Sequence, residues 1–471
     1  MKTCSIQTQL LSEIQACLQL ALPLAGAQLA QAATAFVDTL MMGMLGSAIL
    51  GAGGLGASIF QSVILVSSGI VAALSPIVAS AYGAQQPGRI RKAVQQGVWL
   101  ALLLALPIVG LLVWADQWLP WLGQSPATIQ LAMPYLRSIA WGVVPVLVFA
   151  VLRNFVAALS DPRPVILIVV VGTLFNIVAN YVLMFGKLGL PALGLAGIGW
   201  ASALSLWGML AAIIGYIASQ PRYRFYQVFR GWWRFEPAMF QELLRLGLPI
   251  GVLSAVETGM FLLTMLLMGT LGTIALAAHQ VVLQTAAITF MVPLGISLAT
   301  TIRVGQQLGQ QNRSGARLAG LVGIGIATLF MSLMGMLFWL LPERIIGLYL
   351  DLDRPDNAAV ITLAQQLLQV AAVFQVVDGI QVCATGALRG LKDTQIPMLI
   401  GIIAYWGIGL TSGYWLGIAW AWGGVGLWWG LAIGLAVAAV VLTWRFCTMP
   451  LQQLKIGLPD TAIETSAGTD D

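Results

Sequence analysis

Long apolar runs broken by short polar stretches set the plan of this 471-residue chain. Twelve such runs fall at about 16–44, 52–81, 93–114, 129–157, 163–185, 195–219, 240–269, 275–308, 317–340, 360–388, 395–418 and 424–447. At 1.5 Å per residue, about 20 residues of helix cross a hydrocarbon core of roughly 30 Å. Strands of a membrane barrel would show segments of about ten residues alternating apolar and polar. These runs do not alternate, so the pattern predicts an all-α integral membrane protein of twelve transmembrane helices.

Composition agrees. The chain is 59% hydrophobic and 8% charged, with a mean hydropathy of +0.90, where soluble domains carry about 25% charged residues. The polar start, MKTCSIQTQLLSEIQ, lacks the basic-then-apolar layout of a cleaved signal. With an inside N-terminus, eighteen of the 22 lysines and arginines lie in cytoplasmic loops, helix ends and tails. Only Arg137, Lys187, Arg344 and Arg354 fall on the other side. Basic residues gather on the cytoplasmic side of membrane proteins, so both termini are expected in the cytoplasm. The net charge of +5 therefore reports topology and not a nucleic-acid partner. Cys4, Cys17, Cys383 and Cys447 are scattered without metal-ligand spacing and read as structural. The absence of a GxxxxGK[ST] loop argues against an ATP-driven pump. One histidine, and no carboxylate pair close in sequence, leave an enzyme little to work with.

The most polar interior stretch, about 219–245, divides the chain into halves of six helices. Shifted back by 226 residues, the second half falls on the first without a gap for about seventy positions. Pro249 lands on Pro23, Met268-Gly269 on Met42-Gly43, Leu271-Gly272 on Leu45-Gly46, Gly309 on Gly83 and Arg317 on Arg91. At an offset of 232, Leu391 and Asp393 land on Leu159 and Asp161. An even number of helices per repeat brings both halves into the membrane from one face. Such parallel repeats are related by an axis near the membrane normal, with a cleft between them. The expected units are an N-terminal lobe 1–218, a cytoplasmic inter-lobe loop 219–239, a C-terminal lobe 240–450 and a polar tail 451–471. Glycines such as Gly426, Gly430 and Gly434 are expected to pack helices.

Fourteen of the seventeen acids sit in tails, loops or helix ends; Asp38, Glu257 and Asp378 do not. A carboxylate at a helix centre costs about 2.5–3.5 kcal/mol on insertion scales. Such a residue faces a cavity or a partner, either as the ion-handling group of a coupled transporter or as glue between helices. Their repeat equivalents are Thr264, Gln31 and Val146, so the ion chemistry is not duplicated. Asn176 and Asn180 share a helix face at a four-residue spacing, and Ser202 could face them. Their oxygens suit a hard cation or hydrogen bonds to Asp38, and equally plain interhelical packing. His279 is either a proton gate or a structural hydrogen-bonder. Gln280 and Gln284, one turn apart, could line the cleft.

Four motifs in order, VDTLMMGMLG, SAYGAQQPGRIRKA, TIRVGQQLGQQN and GALRGLKDTQIP, resemble those of the multidrug and toxic compound extrusion (MATE) transporters. The likeness runs from about residue 15 to 450, and acids on helices 1, 7 and 10 resemble the NorM-like bacterial branch. The resemblance implies two six-helix lobes around a V-shaped cleft and export of organic, mostly cationic amphipathic compounds in exchange for Na+ or H+. It implies no cofactor, a monomer in a prokaryotic cell (inner or plasma) membrane, and small-molecule and bilayer partners only. It places Asp38, Asn176 and Asn180 in an N-lobe polar cluster. Glu257 and Asp378 fall in a C-lobe cation site for Na+, with Ser202, His279, Gln280, Gln284 and Phe374 as candidates around the cleft. Two departures stand out: some relatives carry a carboxylate at the position of Asn180, and some sodium-coupled ones carry Tyr at that of Phe374. The alternative within the superfamily is a lipid-linked precursor flippase, but buried basic residues to hold its phosphates are nearly lacking.

Overall fold

A computed structural model describes residues 2–231 and 234–449, with side chains from residue 8 onward. The expected tail 451–471 and the side chain of Cys4 lie outside the described residues. Among the described residues, twelve helices are long and apolar enough to cross a membrane. We label them α1 (Thr8–Met44), α2 (Ser47–Gly83), α3 (Pro87–Val113), α4 (Pro126–Ala158), α5 (Arg163–Phe185), α6 (Leu195–Ser219), α7 (Pro237–Thr270), α8 (Thr273–Gly309), α9 (Arg313–Leu340), α10 (Pro355–Gly390), α11 (Gln395–Ala419) and α12 (Gly423–Thr448). They form two six-helix lobes around a central cleft, α1–α6 and α7–α12.

The repeat is visible in the backbone. The tight links after α1 and α7 turn at Gly46 (φ 112°) and Gly272 (φ 110°), a region that only glycine enters cheaply. Gln85 and Gln311, at φ 55° and 59°, mark equivalent turns, as do Ser160 and Lys392, both at φ 62°. Where the lobes meet, the two halves trade places. A Cβ on Gly83 would strike the carbonyl oxygen of Gln306, and one on Gly309 would strike that of Ser80. Since 226 residues separate Gly83 from Gly309 and Ser80 from Gln306, each contact is the image of the other. The ends of α2 and α8 thus cross on the pseudo-twofold axis, backbone against backbone.

These joints lie towards one face of the bundle, the terminal face, which carries the N-terminus and the α6–α7 connection. Ion pairs join the lobes there, Arg303 to Glu13 at 2.6 Å and Arg89 to Glu242 at 2.9 Å, and Lys92 holds Glu236 of the α6–α7 connection at 2.5 Å. Gln306 Nε2 adds hydrogen bonds to Ala158 O and Ser160 Oγ, both 2.9 Å. The connection itself is docked on the first lobe. Gln95 donates to Val228 O and Arg230 O, Gln96 to Arg234 O, and Tyr216 and Tyr223 donate to Asp161. Three elements depart from the sequence expectation of plain helix: α2 is interrupted at Ala72 and Ala73, α4 passes through a 3-10 turn at Ala140–Gly142, and α11 is π-helical over Ile402–Leu410 and Trp415–Ala419. In α11, Gly409, Gly413 and Gly417 pack against Gly434, Gly430 and Gly426 of α12, so those three glycines serve close packing.

Candidate functional site

Asp38 stands fifteen residues beyond Pro23, about 22 Å along α1. The side chain is half-buried and points at α5 and α6. Asn180 Nδ2 donates to Asp38 Oδ1 at 2.5 Å, and Ser202 Oγ donates to Oδ2 at 3.3 Å. Asn176 Nδ2 donates in turn to Ser202 Oγ, and Asn180 Nδ2 to Asn176 Oδ1, both 3.1 Å. Four side chains therefore close a ring. The four-residue spacing puts both amides on one face of α5, and Gly172, against Met209, lets α6 approach that helix. Every donor to the carboxylate is neutral, so its charge is hydrogen-bonded but not neutralised. Asn180 Oδ1 is buried without a donor, leaving one further oxygen.

Glu257 on α7 is half-buried, and Asp378 on α10 is buried. Asp378 Oδ1 has no hydrogen-bond partner. The two carboxylates lie within electrostatic range of one another, with Arg389 near Glu257. This suits a hard cation such as Na+, which prefers oxygen donors of this kind. Among the described residues no hydrogen bond or ion pair joins this pair to the ring around Asp38. The structure thus has one polar site per lobe.

Of the other sequence candidates, Gln280 and Gln284 are exposed on α8, and His279 is fully buried. Trp428 Nε1 donates to His279 Nδ1 at 3.1 Å, so the ring nitrogen is an acceptor there. Phe374 is buried between Trp428 and Phe261, with ring centroids 5.4 and 6.3 Å away. Several polar groups near the two sites went unsingled by the hydrophobic pattern. Thr34 and Thr173 tie α1 to α5 at 2.8 Å. Thr289 donates to Gln375 at 2.8 Å, and Gln381 donates to Tyr405 at 2.5 Å. A signal for the glutamines existed: Gln375 and Gln381 flank Asp378 three residues away on either side.

Twelve spans, a twofold repeat and one buried polar site in each lobe define a multi-pass membrane transporter. The MatE family model matches residues 23–182 and again 249–415, starting 226 residues apart, as the internal repeat does. A probable multidrug resistance protein NorM of Synechococcus is 46% identical over 92% of this chain and 94% of its own length. A protein of the same description from Pseudomonas aeruginosa is 46% identical over 93% of this chain and 89% of its own. A crystal structure of a eukaryotic MATE transporter superposes with a TM-score of 0.84 at 20% identity, covering 95% of this chain and 98% of that one. An outward-facing multidrug resistance MATE family transporter gives 0.85 at 20%, over 94% and 97%. The chain belongs to the MATE transporter family, in its NorM-like branch, and is not an enzyme.

Proposed function

We propose that this protein is a secondary antiporter that exports organic, mostly cationic amphipathic compounds in exchange for Na+ or H+. The names of its relatives support multidrug efflux. The observation that carries the ion-linked reading is the ring at Asp38: a half-buried carboxylate held only by neutral donors. Such a group retains a charge that a substrate cation, a sodium ion or a proton can each satisfy, one at a time. Competition for it couples the movement of one species to that of another. The working units are the lobes 1–218 and 240–450, joined by the 219–239 loop. They rock about the glycine crossing so that the cleft opens alternately to the two sides. In the cell membrane, with both termini cytoplasmic, the lobe contacts described above close the cytoplasmic side. The protein acts as a monomer, with Gln280 and Gln284 on the cleft wall.

The flippase reading lacks such support. Arg303 is committed to Glu13, and Arg153 lies beside Gln28, so neither forms a basic cleft for phosphates. The test is efflux of a fluorescent organic cation from proteoliposomes under an imposed Na+ gradient, then a pH gradient. Exchange driven by one gradient is expected; uptake indifferent to both would overturn the reading.

A further inference from the structure

The connection from α6 to α7 is sided in a way that water would not select. Tyr223 and Val228 are buried and Tyr226 is half-buried, with the two tyrosine rings against Phe155 at 5.7 and 6.0 Å. Phe225, Phe229 and Phe235 are instead 69, 46 and 54% exposed. Phenylalanine has no polar atom and ranks among the residues most often buried, whereas tyrosine carries a hydroxyl that burial must satisfy. In contact with water alone the two would change places. Arg224, Arg230 and Arg234 are exposed on the same stretch, and among the described residues no ion pair holds any of them. Between Ser219 and Pro237 the chain has four arginines and a single acid, Glu236, which Lys92 already holds.

Gln95 and Gln96 fix the depth. Both side chains are buried, and their amide nitrogens donate to Val228 O, Arg230 O and Arg234 O. They stand eight and nine residues into α3, about 12 Å along it, where the apolar run of that helix has already begun. The backbone of the connection is thus pinned level with the edge of the hydrocarbon, not below it in solvent. At that level aromatic rings meet acyl chains and basic side chains meet lipid phosphates. We propose that the exposed side of this connection binds anionic phospholipid of the leaflet at the terminal face. Phe225, Phe229 and Phe235 enter the acyl boundary, and Arg224, Arg230 and Arg234 hold the headgroup phosphates. A dissolved phosphate would answer the arginines but leave the rings in water, so the ligand is the lipid.

Two measurements on the full-length protein test this. In detergent, thermal unfolding midpoints are recorded against added phosphatidylglycerol, and the parent is expected to show saturable stabilisation. Arg230→Gln and Arg234→Gln should each raise the half-saturating concentration about fivefold. Changing Arg224, Arg230 and Arg234 together to Gln should remove the saturable response. A charge-matched variant, with Arg245, Arg313 and Arg317 of the second lobe changed to Gln, should respond like the parent. Phosphatidylcholine and glycerol phosphate should give no saturable stabilisation. A parent without response, parent-like titrations of the first triple variant, or equal loss in the charge-matched one would overturn the inference. Glycerol phosphate acting as well as the lipid would overturn it too. The second measurement places a nitroxide on Phe229→Cys in a cysteine-free background in nanodiscs. It should collide with oxygen in preference to a water-soluble nickel complex, as a label on Leu106→Cys within α3 does and one on Asp353→Cys, in an exposed loop, does not. Accessibility at 229 like that at 353 would overturn the placement, whether or not the arginine variants fold.

Discussion

Asp38 shows what a single residue contributes when its surroundings are fixed. An asparagine there keeps the shape; its Oδ1 can still accept from Asn180 and its Nδ2 can donate to Ser202 Oγ, so the ring and the fold should survive. What disappears is the charge. Hydrogen bonds to a charged group are worth about 1.5–3 kcal/mol, or ten- to a hundredfold in affinity. Asp38→Asn is therefore expected to bind an organic cation at least about tenfold more weakly and to lose most efflux. Asp38→Glu should retain part of both, because the carboxylate survives one carbon further out. Equilibrium binding and vesicle efflux on membrane-verified variants check this, and an Asp38→Asn protein that binds and exports like the parent refutes it. Much of this site was legible in the sequence. A lone acid in an apolar run is visible without any structure, and the spacing of Asn176 and Asn180 states a shared helix face. Gln381 and Tyr405 were not legible as a pair, because their contact depends on how α11 crosses α10, and α11 is not a regular helix. His279 had two readings, and its bond to Trp428 depends on α8 and α12 meeting in space.

Among elements, the crossing of α2 and α8 is the most constrained. Neither Gly83 nor Gly309 has room for a methyl group, since the obstacle in each case is a backbone carbonyl that cannot rotate aside. Overpacking costs about 1–3 kcal/mol, which falls here on the state in which the helix ends are in contact. Gly309→Ala should thus shift the population towards a form open at the terminal face by roughly five- to a hundredfold. Cys17 offers a native reporter. It is buried in α1 near the Glu13–Arg303 pair. In a background where Cys4 and the exposed Cys447 are serine, labelling of Cys17 by a water-soluble maleimide should rise in Gly309→Ala and equally in Gly83→Ala. Parent rates in both would show that the crossing does not hold the lobes together. The constant offset between these glycines announced the repeat. It could not announce that each presses on the partner of the other, because a repeat in sequence fixes equivalence and not contact.

For the whole molecule, the proposed rocking of the lobes turns on what ties the terminal face together and how easily those ties yield. Glu242 takes Arg89 from the first lobe and Lys392 from its own, at 2.9 and 3.1 Å. Their side chains remain about a quarter exposed, so the group is in reach of solvent and salt. Exposed and half-exposed pairs are worth only about 0–1 kcal/mol each, whereas breaking a buried pair such as Glu13–Arg303 costs about 3–5 kcal/mol. The face is therefore built with one firm tie, the glycine crossing, and a weaker rim that opening can break without a large barrier. Burial holds the Lys392 ammonium below its ordinary value of 10.5, with Arg89 acting the same way and Glu242 opposing. As pH rises, Lys392 therefore gives up its charge, and its share of the hold on Glu242, earlier than an ordinary lysine does. Glu242→Gln should loosen the rim, raising Cys17 labelling by a few fold, about what 1 kcal/mol allows. High salt should bring the parent towards the variant, because screening acts on the rim and not on the buried tie. Glu13→Gln should raise labelling much further and show little response to salt. Should Glu242→Gln match the parent at every salt concentration while Glu13→Gln opens the face, the rim plays no part in gating and closure rests on the buried tie and the glycines alone.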